Sequence, residues 1–129
     1  MGDYLMSLIK ANNITNTTGG IPTVKGQKLI PTAWVNFNGT GTVAIRDSEG
    51  VSSISDNGTG SYSINFTTSL SNANYSVSGM CEESGSGYAH LFIDRTYAIS
   101  TNSVHIQSIK ENDSYYDATY VMAHVLGGQ

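Results

Sequence analysis

The chain has 129 residues, 12% of them charged, and a formal net charge of −4 with only six Lys and Arg scattered along it. No basic stripe can neutralise a run of phosphates, which excludes nucleic-acid binding, and the apolar runs are too short for membrane insertion. A length of 129 residues suits one hydrophobic core, while a single cysteine, Cys81, permits no intrachain disulfide, so stability must come from packing or from partner chains.

Residues 1–32 read as an extended N-terminal arm for docking and assembly. "NNITNTTGG" is polar and turn-rich, and Pro22 and Pro31 bracket "TVKGQKLI". The arm's apolar residues, Leu5, Leu8, Ile9 and Ile14, cannot build a core of their own and are expected to gain order by docking on a partner. Asp3 stands where a signal peptide carries basic residues, so secretion is not expected, and Met6 stands where myristoylation requires Ser or Thr.

Residues 33–129 carry short apolar alternations separated by turn dipeptides, the pattern of an all-β, antiparallel β-sandwich, jelly-roll-like in kind. Asn38-Gly39, Glu49-Gly50 and Asn57-Gly58 predict hairpins. "AWVNF" is the first core strand, with Trp34, Val35 and Phe37 expected in the core and the indole closing one end of the sandwich. In "GSYSINFT" the period of two sends Tyr62, Ile64 and Phe66 to the core and Ser61, Ser63, Asn65 and Thr67 to water. "NYSVSG" repeats this with Tyr75 and Val77, and "SVHIQSI" with Val104 and Ile106 against His105 and Gln107. "YAHLFID" and "ATYVMAHVLG" are apolar on both faces, which predicts central strands or strands whose outer face another subunit covers.

The catalytic signatures are missing. His90, His105 and His124 share no short spacing, and Cys81 lies in no CxxC pair, so no metal or cofactor site is predicted; His105 is expected to face solvent. "SGSG" is no nucleophile elbow, and Glu82 and Glu83 disfavour a Cys81 thiolate. The acid pairs Glu82–Glu83 and Asp113–Asp117 read as solvated loop tips rather than glycosidase carboxylates, and "DNGTG" lacks the later ligands of a calcium loop. No enzyme is predicted. The stronger signal is tyrosine, eight in all, with Tyr115 and Tyr116 in "ENDSYYDAT" as a candidate ligand loop, since Tyr combines large area with a polar hydroxyl.

The run Ala33–Gly39, Thr42–Ser48, Val51–Ile54, Asp56–Gly60 and Tyr62–Phe66 resembles the β-sandwich module of tail-fibre and virion-surface proteins of tailed bacteriophages, especially those of cyanobacteria and marine bacteria. The upstream "SLIKANNITNTTGG" resembles that module's lead-in, so the likeness covers residues 7 to about 77. It implies a non-enzymatic virion structural protein, assembled in the host cytoplasm and displayed on the particle. With only a short arm before the module, a capsid decoration or cement protein, or a short fibre, is expected rather than a long fibre. Its partners would be itself, as a homotrimer, and other virion proteins such as major capsid or tail proteins. The alternative is a receptor-binding tip of a tail fibre that recognises host surface glycans.

Overall fold

The computed structural model describes residues 30–82, 85, 88–94, 96–97 and 99–128. Eight strands follow one another without a helix among the described residues: β1 (Ala33–Asn38), β2 (Ala44–Glu49), β3 (Val51–Gly58), β4 (Ser61–Phe66), β5 (Tyr75–Cys81), β6 (Ala89–Ile93), β7 (Ser103–Lys110) and β8 (Val121–Gly127). They form two four-stranded antiparallel sheets, ordered β2-β1-β8-β5 and β3-β4-β7-β6. The chain from Pro31 to Gln129 forms one compact unit, an antiparallel β-sandwich as the alternation predicts. The arm residues Leu5, Leu8, Ile9 and Ile14 lie outside the described residues.

The core follows the period of two. β1 turns Ala33, Val35 and Phe37 inward, β8 turns Val121, Ala123 and Val125, and the opposing sheet answers with Tyr62, Ile64, Phe66, Val104 and Ile106. Phe37 meets Tyr62 edge to face at 5.1 Å, and Phe66 meets Tyr75 likewise at 5.8 Å. Each fully buried aliphatic or aromatic side chain contributes roughly 1.5–3 kcal/mol. Tyr62 brings a hydroxyl into this interior and satisfies it: the group lies 3.0 Å from Asp117 Oδ1 and 3.1 Å from the Gly39 carbonyl oxygen.

Three expectations need correction. Trp34 is not in the core, because alternation from Val35 and Phe37 sends it to the outer face of β1, where it is 37% exposed. Glu49-Gly50 is not a hairpin, since β2 pairs with β1 and β3 with β4. Gly50 instead turns the corner from one sheet to the other at φ 70°, and a Cβ there would lie 2.7 Å from the Thr32 carbonyl oxygen. Of the two strands apolar on both faces, "ATYVMAHVLG" supplies a central strand, β8, whereas "YAHLFID", β6, lies at a sheet edge with Phe92 and Ile93 exposed, so the central-strand alternative fails for it.

The β3–β4 connection is a tight hairpin through Thr59 and Gly60. Gly60 takes φ 65°, and a Cβ there would sit 2.6 Å from Ser108 O and from Tyr116 N. That close approach lets Ser108 N donate to Gly60 O at 2.8 Å and Gly60 N donate to Asp117 Oδ1 at 2.7 Å. The segment after β7 is thereby tied to the hairpin, which places Tyr115 beside the β3-β4-β7-β6 sheet.

Candidate functional site

The outer faces of the two sheets differ in chemistry. On β3-β4-β7-β6 the outward residues of β3, β4 and most of β7 are Ser, Asn, His and Gln, several of which bond sideways across strands, while Phe92 and Ile109 face outward at the β6 edge. Asn65 Nδ2 donates to Ser53 Oγ at 3.0 Å and to Ser55 Oγ at 2.9 Å. Asn57 Nδ2 donates to Ser63 Oγ at 2.7 Å, and Ser63 Oγ lies 2.9 Å from His105 Nδ1. His105 therefore does not stand free in solvent: it is half-buried, with the Tyr97 ring stacked on it at 4.1 Å and 11°.

At one end of this face lies a groove of about 380 Å³, lined by Asn57, Ser61, Asp94, Tyr97, Gln107 and Tyr115 among others. Asp94 is 3% exposed and its two carboxylate oxygens are both engaged, Oδ1 by the Thr96 backbone N–H and Oδ2 by Gln107 Nε2, each at 2.8 Å. The first bond is an Asx turn that ends β6 and starts the loop carrying Tyr97. The second holds the Gln107 amide with its oxygen turned away from the carboxylate. Tyr97 is 45% exposed and Tyr115 53%, so two aromatic rings flank a fixed polar floor.

Local sequence explains how Tyr115 gets there. Asp113 adopts φ 61°, a region that Asp tolerates better than most residues. Asp113 N donates to Lys110 O at 3.0 Å and Lys110 N to Ser114 O at 2.9 Å, a tight reversal that lays Tyr115 alongside Ile109 as a β-bridge. The two adjacent tyrosines then part. Tyr116 is half-buried against the core, bonded through its backbone to Ser108 and covered by the Lys110 ammonium 4.4 Å from its ring centre. Of the predicted loop pair, only Tyr115 faces the groove. Tyr97, Asp94 and Gln107 were not anticipated; the Asp-x-Thr turn after an apolar strand was the available signal.

The outer face of β2-β1-β8-β5 has the opposite character. Trp34, Met80, Tyr120, Met122 and Leu126 are all large, apolar and exposed there, Met80 to 69%. Register sets them in adjoining rows, Trp34–His124–Ser78 and Asn36–Met122–Met80, with a cavity of about 480 Å³ between them. Arg46 lies over the Tyr120 ring at 4.1 Å. Asn36 Oδ1 is buried with no hydrogen-bond partner among the described residues, a condition that costs roughly 1–3 kcal/mol.

Other sequence candidates fall apart spatially. His90 and His105 lie on one sheet and His124 on the other, and no three His, Cys, Asp or Glu side chains among the described residues gather as metal ligands. Asp117 is not a solvated tip but a half-buried acceptor for Gly60 and Tyr62, separate in role from Asp113. Burial pushes the Cys81 thiol up from its ordinary value, and Glu83 lies outside the described residues. Ser78 Oγ lies 2.8 Å from His124 Nε2, but this is an exposed cross-strand pair with no described carboxylate bonded to the imidazole. Comparison of the chain with protein-family models, with curated proteins and with solved structures finds no significant match, so the geometry and the sequence carry the functional argument alone.

Proposed function

We propose that this chain is a non-enzymatic structural protein of a bacteriophage virion, a capsid decoration or cement protein or a short fibre, that acts as a homotrimer on the particle surface. The observation that carries this reading is the apolar cluster on the outer face of β2-β1-β8-β5, where Trp34, Met80, Met122 and Leu126 are exposed among the described residues. Exposed contiguous apolar surface of this kind marks a protein contact. The unpartnered Asn36 oxygen beneath the same face supports it, because a docked partner can supply the missing donor. The likeness of Ala33–Phe66 to phage virion-surface modules supports the particle.

Size argues for more than one contact. Four strands about 4.8 Å apart, with β1 six residues long at about 3.3 Å per residue, present roughly 400 Å². A stable interface takes about 800 Å² from each partner. The N-terminal residues 1–32, with Leu5, Leu8, Ile9 and Ile14, are proposed to supply the remainder by docking on other virion proteins, and three arms in a trimer add through avidity. Light scattering on purified protein at micromolar concentration tests the assembly, with a trimer expected. A monomer in solution and no three-fold density at its site on particles imaged by electron microscopy would overturn it.

A second reading, a receptor-binding tip for host surface glycans, is favoured by one observation: Tyr97 and Tyr115 flank a polar groove on the face opposite the apolar one.

A further inference from the structure

The groove between Tyr97 and Tyr115 has a composition that selects among ligands. We propose that it binds the pyranose ring of a neutral sugar, stacked on Tyr97 and hydrogen-bonded to the Gln107 amide oxygen and the Asn57 side chain. This inference rests on the receptor-binding reading and specifies its site.

Three features argue for that ligand class. Tyr97 is a prepared platform: His105 stacks against one side of its ring at 4.1 Å, His105 is held by Ser63, and the tyrosine still exposes 45% of its surface. A ring fixed in this way loses little conformational freedom on binding, and its apolar face suits the C–H-rich face of a pyranose. The polar floor is fixed too. Asp94, buried to 3% exposure, spends one oxygen on Thr96 N and the other on Gln107 Nε2, so the Gln107 Oε1 atom is left as an acceptor of set direction. Asn57 donates to Ser63 and in the same way keeps its amide oxygen as an acceptor. Such acceptors, with the hydroxyl of Ser61 beside them, match a ligand rich in O–H donors.

Charge narrows the class further. Asp94 lies among the described residues that line the groove. An anionic sugar would meet its carboxylate, which disfavours it. A volume of about 380 Å³ lies at the small end of ligand sites and suits one or two rings rather than a long chain.

The test is saturation-transfer NMR on the full chain with the methyl glycosides of glucose, galactose, mannose and N-acetylglucosamine, and with methyl sialoside as the anionic probe. Transfer is expected from at least one neutral glycoside, with Kd on the order of 1 mM. Tyr97→Ala and Tyr115→Ala are each expected to weaken it roughly tenfold. Tyr97→Phe retains the ring and is expected to retain binding, which separates stacking from loss of fold; His124→Ala on the opposite sheet is expected to change nothing. Binding of a neutral glycoside that survives both alanine substitutions overturns the groove while leaving a receptor-binding tip standing. Stronger binding of the sialoside overturns the neutral class. Absence of transfer from every probe, with no binding to host surface polysaccharide, overturns the site and the receptor-binding reading together.

Discussion

The two outer faces of this sandwich share the same strand geometry and the same inner partner, yet one is complete and the other is not. On β3-β4-β7-β6, outward Ser, Asn and His side chains find each other across the strands at 2.7–3.0 Å. On β2-β1-β8-β5, outward Trp34, Met80, Met122 and Leu126 stand beside Asn36, Ser78 and His124 and remain exposed. Polar side chains at cross-strand spacing can satisfy one another within a single layer, because a hydrogen bond needs only a neighbour at the right distance. Apolar side chains lose their contact with water only under a second layer. The difference teaches which face would gain from cover: the polar ladder is satisfied within its own sheet, and the apolar side chains leave water only under a second layer.

The largest effect separates inside from outside on one strand. Phe37→Ala is expected to cost roughly 3–5 kcal/mol, whereas Trp34→Ala in the unassembled chain is expected to cost less than about 1 kcal/mol. Denaturant midpoints of the two variants check this, and equal losses would return the indole to the core.

Assembly gives the next contrast. Met122→Lys, on the apolar face, is expected to convert a trimer to monomers in light scattering while leaving the unfolding midpoint little changed. Asn65→Lys, on the polar face, is expected to leave the trimer intact. If both substitutions dissociate the assembly, or neither does, the two faces do not differ in the way described.

The shared interior responds to pH. Burial, and then the hydrogen bond and charge of Asp117, raise the Tyr62 hydroxyl well above its ordinary value of 10.0. The unfolded chain therefore releases this proton near pH 10 while the folded chain keeps it, so the native state binds more protons above that point. Stability is complete below about pH 10 and declines as pH rises beyond it towards the raised native value. Denaturant midpoints measured between about pH 8 and 11 are expected to fall less steeply in Tyr62→Phe than in the parent. Tyr75 and Cys81, raised by burial in the same direction, account for the slope that remains.

The smallest effect compares two Ser–His pairs, one on each face. Ser63→Ala removes a hydroxyl that is itself buried and sits between Asn57 and His105, and is expected to cost roughly 0.5–1.5 kcal/mol. Ser78→Ala breaks the exposed bond to His124 and is expected to cost close to nothing, because water replaces it. Thermal unfolding of the two variants side by side decides the matter.

Much of the fold was legible, and the errors are instructive. Alternation alone places Tyr62, Ile64, Phe66, Val104 and Ile106 inside, as observed. The same rule, applied strictly to Ala33, Val35 and Phe37, puts Trp34 outside; expecting the indole in the core let side-chain size outweigh strand parity. At Glu49-Gly50 the left-handed glycine was legible, but a hairpin and a corner between sheets use the same residue. Only the pairing of β2 with β1 and of β3 with β4 distinguishes them. Of the candidate ligand loop, Tyr115 reached the groove and Tyr116 did not, because one residue along an extended backbone reverses the side a residue faces.

What the sequence determined by itself was local: two-residue periodicity and turn chemistry, and hence an antiparallel sandwich. These follow from backbone sterics and from the sorting of side chains between water and core, which operate over a few residues. What only the tertiary structure decided was which distant segments meet. Tyr97 gains its platform because β6 pairs with β7, bringing the loop after Ile93 over His105. The apolar patch exists because β1, β8 and β5, far apart in the chain, lie side by side and bring Trp34, Met122 and Met80 onto one face. Neither arrangement is written in any short stretch, since strand order is set by the packing of the whole sandwich rather than by the preferences of its parts.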